Sequence, residues 1–304
     1  MKACALRAVC AALTLAAPAC ERSGPVSRTA TLQDAEGRPV VVGHLPVERI
    51  VSTMQSATEW LVLLGAANRL VARTDFDHQP ELAQLPSIGG GLNPSPELVL
   101  SLSPGIVIGW RDRSSVDLQH ALEPFRIPVL SFETTDTADV LQNLKRLGVL
   151  VGREAKADSL AAALRAALAD VKRSACDATV PAPPTVFLVL WTDPPMTAGG
   201  STWMTTLLET ACLRNVFADV TVPWPTVSLE SITARQPEWI LTSRGRTPGE
   251  RLAEFRGKSG WRDLAAVRAG RIIEIPGDLF ARSGPSIAEA ARAIVAARRR
   301  IGGK

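Results

Sequence analysis

One long helical segment near the middle of the chain constrains the fold more than any other feature. Between Ala155 and Cys176, large apolar residues recur at helical spacing in an alanine-rich background. The proline-rich segment 180–184 then ends regular structure. The sequence therefore predicts a rigid helix near 153–176 that separates two parts of the chain. The apolar positions of this helix are Leu160, Leu164, Leu168 and Val171.

Short apolar strands alternate with helical patterns on both sides of this helix, which is typical of α/β folds. A hairpin within 29–42, turning at Glu36-Gly37, precedes the first series. The predicted strands of the first series are 49–51, 70–72, 106–108 and 129–132, and its helices are 60–64, 96–102 and 116–122. The predicted strands of the second series are 186–190, 239–241 and 272–275, and its helices are 205–211, 229–235 and 287–300.

The predicted fold is two Rossmann-like α/β lobes joined by one long backbone helix. The lobes are expected at residues 26–150 and 180–304, and the interlobe helix at 153–176. A chain of 304 residues is long enough for two such domains. A single rigid connecting helix would allow only modest hinge motion between the lobes.

Composition and charge exclude several classes of protein. A hydrophobic content of 46% with 21% charged residues is ordinary for a folded domain and argues against disorder. After the first twenty residues no apolar run approaches the ~20 residues of a spanning helix, so a polytopic membrane protein is not expected. The net charge of +4 is small against 34 basic and 30 acidic residues, so a nucleic-acid partner is not indicated.

The first nineteen residues have the pattern of a signal peptide. Lys2 and Arg7 form a basic start, residues 8–17 are apolar, and small residues at 17–19 suit cleavage. We therefore predict export to a periplasmic or other extracytoplasmic location. Cys20 directly follows and is a candidate for lipidation, which would make the chain a membrane-anchored lipoprotein; Pro18 is unusual for that processing. Of the remaining mature cysteines, Cys176 and Cys212 form either a disulfide or two buried thiols.

Motifs of catalysis are absent from the sequence. It contains no CxxC, HExxH or GxSxG motif, and Gly89-Gly90-Gly91 lacks the Lys and Ser/Thr of a phosphate-binding loop. Three histidines occur, and only His78, beside Asp75 and Asp77, is near a predicted cleft loop. One histidine cannot enclose a divalent cation alone, so neither a metal site nor a cofactor is predicted. The chain is predicted not to be an enzyme, and an enzyme acting in the interlobe cleft is the alternative.

Three tryptophans follow predicted strands or lie in a predicted loop. Trp110 and Trp191 close strands, and Trp224 lies between two prolines. In α/β lobes the loops at the carboxyl ends of strands line the ligand crevice, so these rings would form apolar walls facing each other across two lobes. Packing at the edge of the core is the alternative role for each ring.

Five segments spread over nearly the whole mature chain carry a family resemblance. They are 48–51 through Glu59 to 63–65; 96–99 through Pro104 to 106–111; 194–199; 215–219; and 223–230. With Asp278, Phe280, Arg282 and Pro285, this pattern resembles the helical-backbone (class III) solute-binding proteins of ABC importers, and within them the cobalamin-binding members. The resemblance implies a monomer that binds cobalamin or a related corrinoid as transported ligand and delivers it to the permease. Haem or a ferric siderophore is the alternative ligand.

The resemblance also implies which residues meet the ligand. Phe76, Trp110 and Trp224 would contact the corrin or its nucleotide tail, and Asp278 and Arg282 would line the C-terminal wall. The chain departs from the cobalamin binders at two positions. Gly89-Gly90-Gly91 stands where they place an aromatic residue, and Met196 replaces another aromatic. Either Trp191 or Trp203 could restore the missing ring area.

Glu97 and Glu230 begin corresponding predicted helices in the two lobes. A carboxylate suits the positive end of a helix, so capping is one sufficient explanation. The resemblance implies a second one, in which each glutamate docks on an arginine of a membrane subunit. A third class of function, an extracytoplasmic scaffold without a transporter, would lack cleft binding altogether.

Overall fold

The computed structural model describes residues 28–91, 93–176, 182–247 and 249–302. The predicted signal peptide and Cys20 lie outside the described residues. The described strands are β1 (Arg28–Gln33), β2 (Pro39–Leu45), β3 (Ile50–Ser52), β4 (Ile106–Trp110), β5 (Val129–Phe132), β6 (Thr185–Val189), β7 (Trp191–Thr192), β8 (Pro195–Met196), β9 (Arg214–Asn215), β10 (Trp239–Ser243) and β11 (Ile272–Ile275).

The helices of the described residues alternate with these strands. They are α1 (Gln55–Leu63), α2 (Pro96–Ser101), α3 (Arg113–Leu122), α4 (Thr137–Val151), α5 (Glu154–Ala175), α6 (Trp203–Thr210), α7 (Leu229–Arg235), α8 (Glu250–Gly257), α9 (Ala265–Arg268), α10 (Gly277–Ala281) and α11 (Ile287–Gly302). None of the described helices combines the length and apolar character that crossing a membrane requires.

Each lobe is built on a small parallel sheet. The N-terminal lobe has the strand order β3-β4-β5, and the C-terminal lobe has the order β11-β10-β6-β9. Two antiparallel hairpins, β1-β2 and β7-β8, are added to these sheets. Helices connect successive strands in both lobes, so the predicted α/β fold class with a long interlobe helix is confirmed.

The prediction of a strand at 70–72 is wrong. Leu70 forms a single isolated bridge to Ile50, and the chain next pairs at Arg73, which forms a bridge with Ser87. Two successive partners on different segments prevent a continuous ladder. The helices α4, α8, α9 and α10 and the short strands β7, β8 and β9 were also not predicted. The two-residue strands and the helices α9 and α10, of four and five residues, are too short to show a period. In contrast, α4 has 15 residues and directly precedes the predicted interlobe helix.

Among the described residues, the faces of the two sheets divide the interior into three apolar clusters. In β4, Ile106 and Ile108 face a cluster that extends through α4 and α5 into the C-terminal lobe, whereas Val107 faces a cluster confined to the N-terminal lobe. In β6, Val186 and Leu188 face the shared cluster, and Phe187 faces a third cluster in the C-terminal lobe. This alternation follows from the two-residue period of strands. The two lobes therefore share one continuous core around α5.

A disulfide joins the end of α5 to the C-terminal lobe. Cys176, the residue after α5, is bonded to Cys212, which follows α6, and their Cα atoms are 5.2 Å apart. The sequence left the pairing of these two cysteines open, and the structure resolves it in favour of the disulfide. The interlobe helix is therefore fixed covalently to one of the lobes it connects.

Candidate ligand-binding site

A cavity of about 680 Å³ lies between the two lobes. This volume is within the usual range for small-molecule sites. Its walls come from the carboxyl ends of strands in both lobes, where α/β folds bind ligands. The N-terminal lobe contributes Trp110, Arg111, Asp112 and Thr134. The C-terminal lobe contributes Leu190, Met196, Trp203, Met204, Trp224, Ser243, Gly277, Phe280 and Ala281.

A second cavity of similar size, about 690 Å³, opens on the surface of the C-terminal lobe. Arg244, Glu274 and Arg300 are among its lining residues, and all of its lining residues belong to that lobe. Of these two cavities, the first joins strand ends of both lobes and the second does not, so we assign the candidate site to the interlobe cavity.

The N-terminal wall is centred on Trp110, the last residue of β4. Its strand is held in register by β5, where Trp110 pairs with Phe132. The preceding Gly109 lets neighbouring segments approach closely, because an added Cβ would come 2.4 Å from Ser115 Oγ and 3.0 Å from Thr53 Oγ1. The indole is thus carried by a rigid strand with closely packed support, as the strand-end argument predicts.

Arg111, next to this tryptophan, is held by carboxylates from two elements. Its Nη1 donates to both oxygens of Glu133, at 2.7 and 2.8 Å, and its Nε lies 3.5 Å from Glu36 Oε1. The hydrogen bond to Glu133 raises the pKa of Arg111 above its ordinary value. Glu36 lies in the turn of the β1-β2 hairpin and also accepts a hydrogen bond from Ser131 Oγ at 2.8 Å. The β1-β2 hairpin therefore supports the cavity wall. Glu36 and Glu133 together offset the charge of Arg111.

The C-terminal wall depends on two glycines that allow one loop to lie on another. A Cβ on Gly199 would come 2.1 Å from Val222 O, and one on Gly200 would come 2.2 Å from Ala218 O. Backbone hydrogen bonds join the same segments, from Gly199 N to Pro223 O at 2.9 Å. The loop at 218–226 is therefore fixed against residues 195–200 and presents Trp224 at the cavity.

The buried side-chain amide of Asn215 fixes the geometry of these two loops through hydrogen bonds. Its buried amide nitrogen donates to Ala198 O at 2.8 Å and to Thr205 Oγ1 at 2.9 Å, and its oxygen accepts from Phe217 N at 3.0 Å. Thr205 Oγ1 donates in turn to Gly199 O at 2.8 Å. The buried amide thus has partners for both of its polar atoms, which fixes the loop geometry.

The structure brings together three of the residues predicted to bind the ligand and leaves four outside the cavity lining. Trp110, Met196 and Trp224 line it. Phe76, Trp191, Asp278 and Arg282 are not among its lining residues. The predicted contacts of these four residues with a ligand remain predictions.

Trp191 and Phe76 are both largely exposed. Trp191 is 62% exposed, belongs to the hairpin β7-β8 rather than to the end of β6, and donates its indole N–H to Asp193 O at 3.0 Å. Phe76 is 53% exposed, and its ring lies over Gly90, where an added Cβ would be 3.4 Å from Phe76 Cε2. The ring of Phe76 therefore partly covers Gly90, in the segment where the cobalamin binders have an aromatic residue.

Arg282 is engaged by other protein groups. Its Nη1 donates to Glu59 Oε1 of α1 at 2.5 Å, and its Nη2 donates to Asp278 Oδ1 at 3.1 Å and to the backbone oxygen of Phe76 at 3.2 Å. Asp278 is 78% exposed, whereas the side chains of Glu59 and Arg282 are 15% and 16% exposed. This cluster joins the two lobes beside the cavity wall formed by Phe280 and Ala281.

Asp77 is the buried carboxylate nearest the predicted cleft histidine. Its Oδ2 accepts from Thr74 N at 2.7 Å and Thr74 Oγ1 at 2.8 Å, and burial is the main cause that raises its pKa. These bonds give Asp77 a structural role in its own loop. No group of three or more metal-ligating His, Cys, Asp or Glu side chains occurs within the described ranges.

Glu97 and Glu230 are exposed and occupy equivalent positions in their helices. Ser95 and Ser228 cap α2 and α7 by accepting from the backbone N–H groups of Leu98 and Ser231, both at 3.2 Å. Each glutamate is the second residue of its helix. A hydrogen bond donated by Ser95 Oγ is the main cause that lowers the pKa of the Glu97 carboxyl. For Glu230 the main cause is a hydrogen bond from its own backbone N–H, which likewise lowers its pKa. The helix caps are therefore the serines, and the glutamates are not needed for that role.

Several lining residues were not predicted from the sequence. Arg111, Asp112 and Thr134 follow the ends of β4 and β5, so the strand-end argument used for Trp110 could have found them. Met204 and Phe280 gave no such signal, because each is a buried apolar residue in a helix. Trp203, considered as a source of ring area, does line the cavity from α6.

The chain matches known proteins over most of its length. A family model described as periplasmic binding protein matches residues 50–279. An uncharacterized ABC transporter substrate-binding lipoprotein, YvrC of Bacillus subtilis, is 29% identical over 263 residues, covering 85% of this chain and 82% of the relative. A vitamin B12-binding protein of Photorhabdus laumondii is 29% identical over 244 residues, covering 80% and 85%.

Solved structures have the same fold. A periplasmic heme binding protein from Pseudomonas aeruginosa superposes with a TM-score of 0.72 at 27% identity, covering 83% of this chain and 92% of that one. The periplasmic vitamin B12 binding protein BtuF of Vibrio cholerae superposes with a TM-score of 0.71 at 23% identity, covering 85% and 99%. At 23% identity, the likeness to BtuF shows the fold alone.

Proposed function

Because the chain belongs to the periplasmic binding protein family and is a solute-binding protein of ABC transport, we propose that its ligand is a corrinoid, with cobalamin as the first candidate. The ligand would occupy the interlobe cavity and be delivered from there to the membrane subunits of the importer. The vitamin B12-binding relative supports this ligand class.

The observation that carries the proposal is the composition of the cavity wall. Aromatic rings from both lobes line it, Trp110 from one and Trp203, Trp224 and Phe280 from the other, together with two methionines. Flat rings and polarizable thioethers suit a large, flat, partly apolar ligand. Backbone and short polar groups at Thr134 and Ser243 can fix the orientation of its amide periphery.

The same wall is less suited to haem. Proteins hold haem iron through histidine, cysteine, tyrosine or methionine. The sequence contains no tyrosine, and the described lining residues offer methionine alone, at Met196 and Met204. The cobalt of cobalamin carries its own axial ligands, so a corrinoid needs no such group from the protein.

A ferric siderophore also finds little to hold it. Such ligands present oxygen donors, often anionic, which favour unpaired basic side chains. Arg111 is the one basic residue among the described lining residues, and Glu133 and Glu36 already pair with it. We therefore rank the corrinoid first, haem second and the ferric siderophore third.

Titration monitored by visible absorption tests the ligand class. Purified mature protein would be mixed with cyanocobalamin, hemin and a ferric hydroxamate, with equilibrium dialysis to measure each affinity. We expect saturable corrinoid binding and recovery of the ligand unchanged after prolonged incubation. Tighter binding of hemin would overturn the ligand assignment, and chemical conversion of the bound ligand would favour an enzyme in the cleft.

Phe76, Trp191, Asp278 and Arg282 complete the proposed site at its edge. Phe76, Trp191 and Asp278 are exposed, the Arg282 side chain is 16% exposed, and all four lie outside the cavity lining. A nucleotide tail or side-chain amides of a large corrinoid could reach them there. In this proposal the cavity takes the flat macrocycle, and the outlying residues contact its substituents.

We further propose that Glu97 and Glu230 dock the protein on its permease. In a parallel α/β lobe, a helix that leads into a strand begins at the carboxyl edge of the sheet. α2 leads into β4 and α7 leads into β10, and both strands end at the cavity. The two carboxylates would therefore lie on the same face as the cleft opening, one per lobe, where arginines of two membrane subunits could meet them.

Charge reversal separates docking from ligand binding. The double variant Glu97→Lys/Glu230→Lys should bind the corrinoid as the unmodified protein does but fail to support uptake in cells. Glu154→Lys, which reverses a half-buried glutamate in the first turn of α5, is the control and should transport normally. Normal transport by the double variant would exclude the docking role, and loss of ligand binding would place the glutamates in the site.

We also propose that the mature protein is a monomer outside the cytoplasm, anchored through a lipid on Cys20. The lipoprotein name of the Bacillus relative and the position of the cysteine support an anchor. Labelling cells with a fatty-acid analogue should mark the protein, and Cys20→Ser should abolish the label. Release of unlabelled protein from cells without that substitution would contradict the anchor.

A further inference from the structure

A short segment of the C-terminal lobe packs against α1 of the N-terminal lobe. Arg282, Ser283 and Gly284 follow α10, and a Cβ on Gly284 would come 2.9 Å from Glu59 Oε2 and 3.1 Å from Ser56 Cβ. The φ of Gly284 lies outside the left-handed region. Its lack of a side chain therefore serves the close approach of the two lobes rather than a backbone conformation.

The Glu59–Arg282 ion pair lies in this interlobe contact. The two residues are 223 positions apart in sequence, and both side chains are more than four-fifths buried. The same guanidinium reaches the Phe76 backbone of the N-terminal lobe and Asp278 of its own lobe. One arginine therefore connects a helix and a loop of one lobe to a helix of the other.

The free energy of unfolding generally gains little from a buried ion pair of this kind. Burying two charges costs free energy that their attraction offsets only in part, and apolar replacements of such pairs are often neutral or stabilising. Burial is also the main influence on the Glu59 carboxyl, and it raises its pKa even though Arg282 acts in the opposite direction. Burial therefore makes ionisation of Glu59 costlier in the folded protein, and the ion pair with Arg282 requires that ionised form.

We propose that Glu59 is a positioning residue of the binding cleft, which pins Arg282 across the lobes and so sets the width of the cavity before ligand arrives. The inference deepens the proposed function, because the preset width would select ligands by thickness and remove part of the cost of ordering the cleft on binding. Glu59 itself is absent from the cavity lining.

The distance between the lobes in the ligand-free protein tests the proposal directly. Spin labels would replace Arg113 of α3 and Arg246 after β10, whose side chains are 89% and 94% exposed. The labelled protein would carry Cys20→Ser and keep its native disulfide. We expect one narrow distance distribution for the parent and a broader, longer one for Glu59→Ala. Asp219→Ala, which breaks an ion pair with Arg235 inside one lobe, is the matched control and should leave the distribution unchanged.

A conservative variant distinguishes positioning from a structural role. Glu59→Gln keeps the side-chain shape but removes the charge, so it should retain or raise the denaturation midpoint while broadening the distance distribution. Corrinoid affinity of this variant should fall about tenfold. An unchanged distribution in both Glu59→Ala and Glu59→Gln would overturn the proposal, as would broadening accompanied by general unfolding of both variants.

Acidification and a steric variant supply independent readings. Glu59 faces Arg282, Asp77 and Asp278, and lowering the pH through its raised pKa should protonate it and broaden the distribution. The parent should show this change, and Glu59→Gln should show none with the same midpoint. Gly284→Ala should lengthen the interlobe distance by forcing the segments apart. Equal pH responses in parent and Glu59→Gln would overturn the assignment to Glu59.

The distance measurements need no ligand, so the two proposals can fail separately. If the protein binds no corrinoid yet Glu59→Ala broadens the distribution, the positioning role stands and the ligand assignment falls. If corrinoid binds but the distribution is insensitive to Glu59, the ligand assignment stands and the positioning role falls.

Discussion

The two lobes are joined to the helix α5 by different kinds of contact. On the N-terminal side the connection is a tight helical hairpin, in which α4 ends at Gly152 in the left-handed conformation and α5 starts two residues later. The two helices approach so closely that a Cβ on Gly148 would come 2.6 Å from the Cβ of Ala157. This junction depends on the absence of side-chain atoms.

On the C-terminal side the connection is covalent and electrostatic. The Cys176–Cys212 disulfide is flanked by Arg298, whose Nη1 donates to Cys212 O at 2.7 Å and whose Nη2 donates to Ala175 O at 3.3 Å. Arg299 donates to Ser174 O. Cations near the last carbonyls of a helix are stabilised by its dipole, so these arginines suit the end of α5.

The two junctions show two physical ways to fix a lobe to the end of α5. The N-terminal junction excludes atoms and should be sensitive to one added methyl group, whereas the C-terminal junction uses several groups that can replace one another in part. Both junctions border the shared core, so a break in α5 itself should affect the two lobes alike.

Breaking the helix should have the largest effect. Leu164→Pro removes a backbone donor in the middle of α5, where the side chain is 6% exposed, and should cost about 3 kcal/mol or more of unfolding free energy. Hydrogen exchange should accelerate in β4 and β10 together. Leu164→Met is the control, with a cost below about 1.5 kcal/mol. Native-like stability, or a loss in one lobe only, would contradict a shared core.

Removing the disulfide should come next. Cys176→Ser/Cys212→Ser removes a cross-link between residues 36 positions apart. The free energy of unfolding, measured by chemical denaturation, should fall by about 2–4 kcal/mol. The fold should persist because Arg298 still holds both segments. Adding Arg298→Met should cost more than it does in the disulfide-bonded protein. Equal costs of Arg298→Met in the two backgrounds would mean that the two contacts act independently.

Filling the helical hairpin should have a smaller effect. Gly148→Val should cost about 1–3 kcal/mol, because the new side chain overlaps Ala157. Ala157→Gly in the same chain should recover part of the loss, with a coupling energy of about 0.5–3 kcal/mol in a double-mutant cycle. A cycle with no coupling would show that the two helices move apart freely at this junction.

Removing the cavity tryptophans should affect binding and spare the fold. Trp110→Ala and Trp224→Ala should each weaken corrinoid binding by about 1–3 kcal/mol. Trp110 is held by a strand, whereas Trp224 lies in a loop and is 43% exposed, so the larger loss is expected at Trp110. Titration by absorption measures both. Unchanged affinity in both variants would exclude these rings from the site.

Local patterns were sufficient for much of the architecture. β5, α7 and β11 have the predicted bounds, and the interlobe helix predicted near 153–176 occupies Glu154–Ala175. Trp110 and Trp224 line the cavity, as expected of loops at the carboxyl ends of strands, whereas Trp191, expected there for the same reason, does not. In contrast, Leu70 has the composition of a strand but pairs at a single residue, because the next pairing partner belongs to another segment.

The sequence by itself determined the α/β alternation on both sides of a long helix, the extent of that helix and the equivalent positions of Glu97 and Glu230. Periodicity and helix-start residues act within a few positions of chain. Only the tertiary structure decided which distant groups meet. It paired Cys176 with Cys212, turned Arg282 towards Glu59 and brought Met204 and Phe280 to the cavity. A hydrophobic period shows that a residue is buried, but the partner across the interface depends on how whole elements pack.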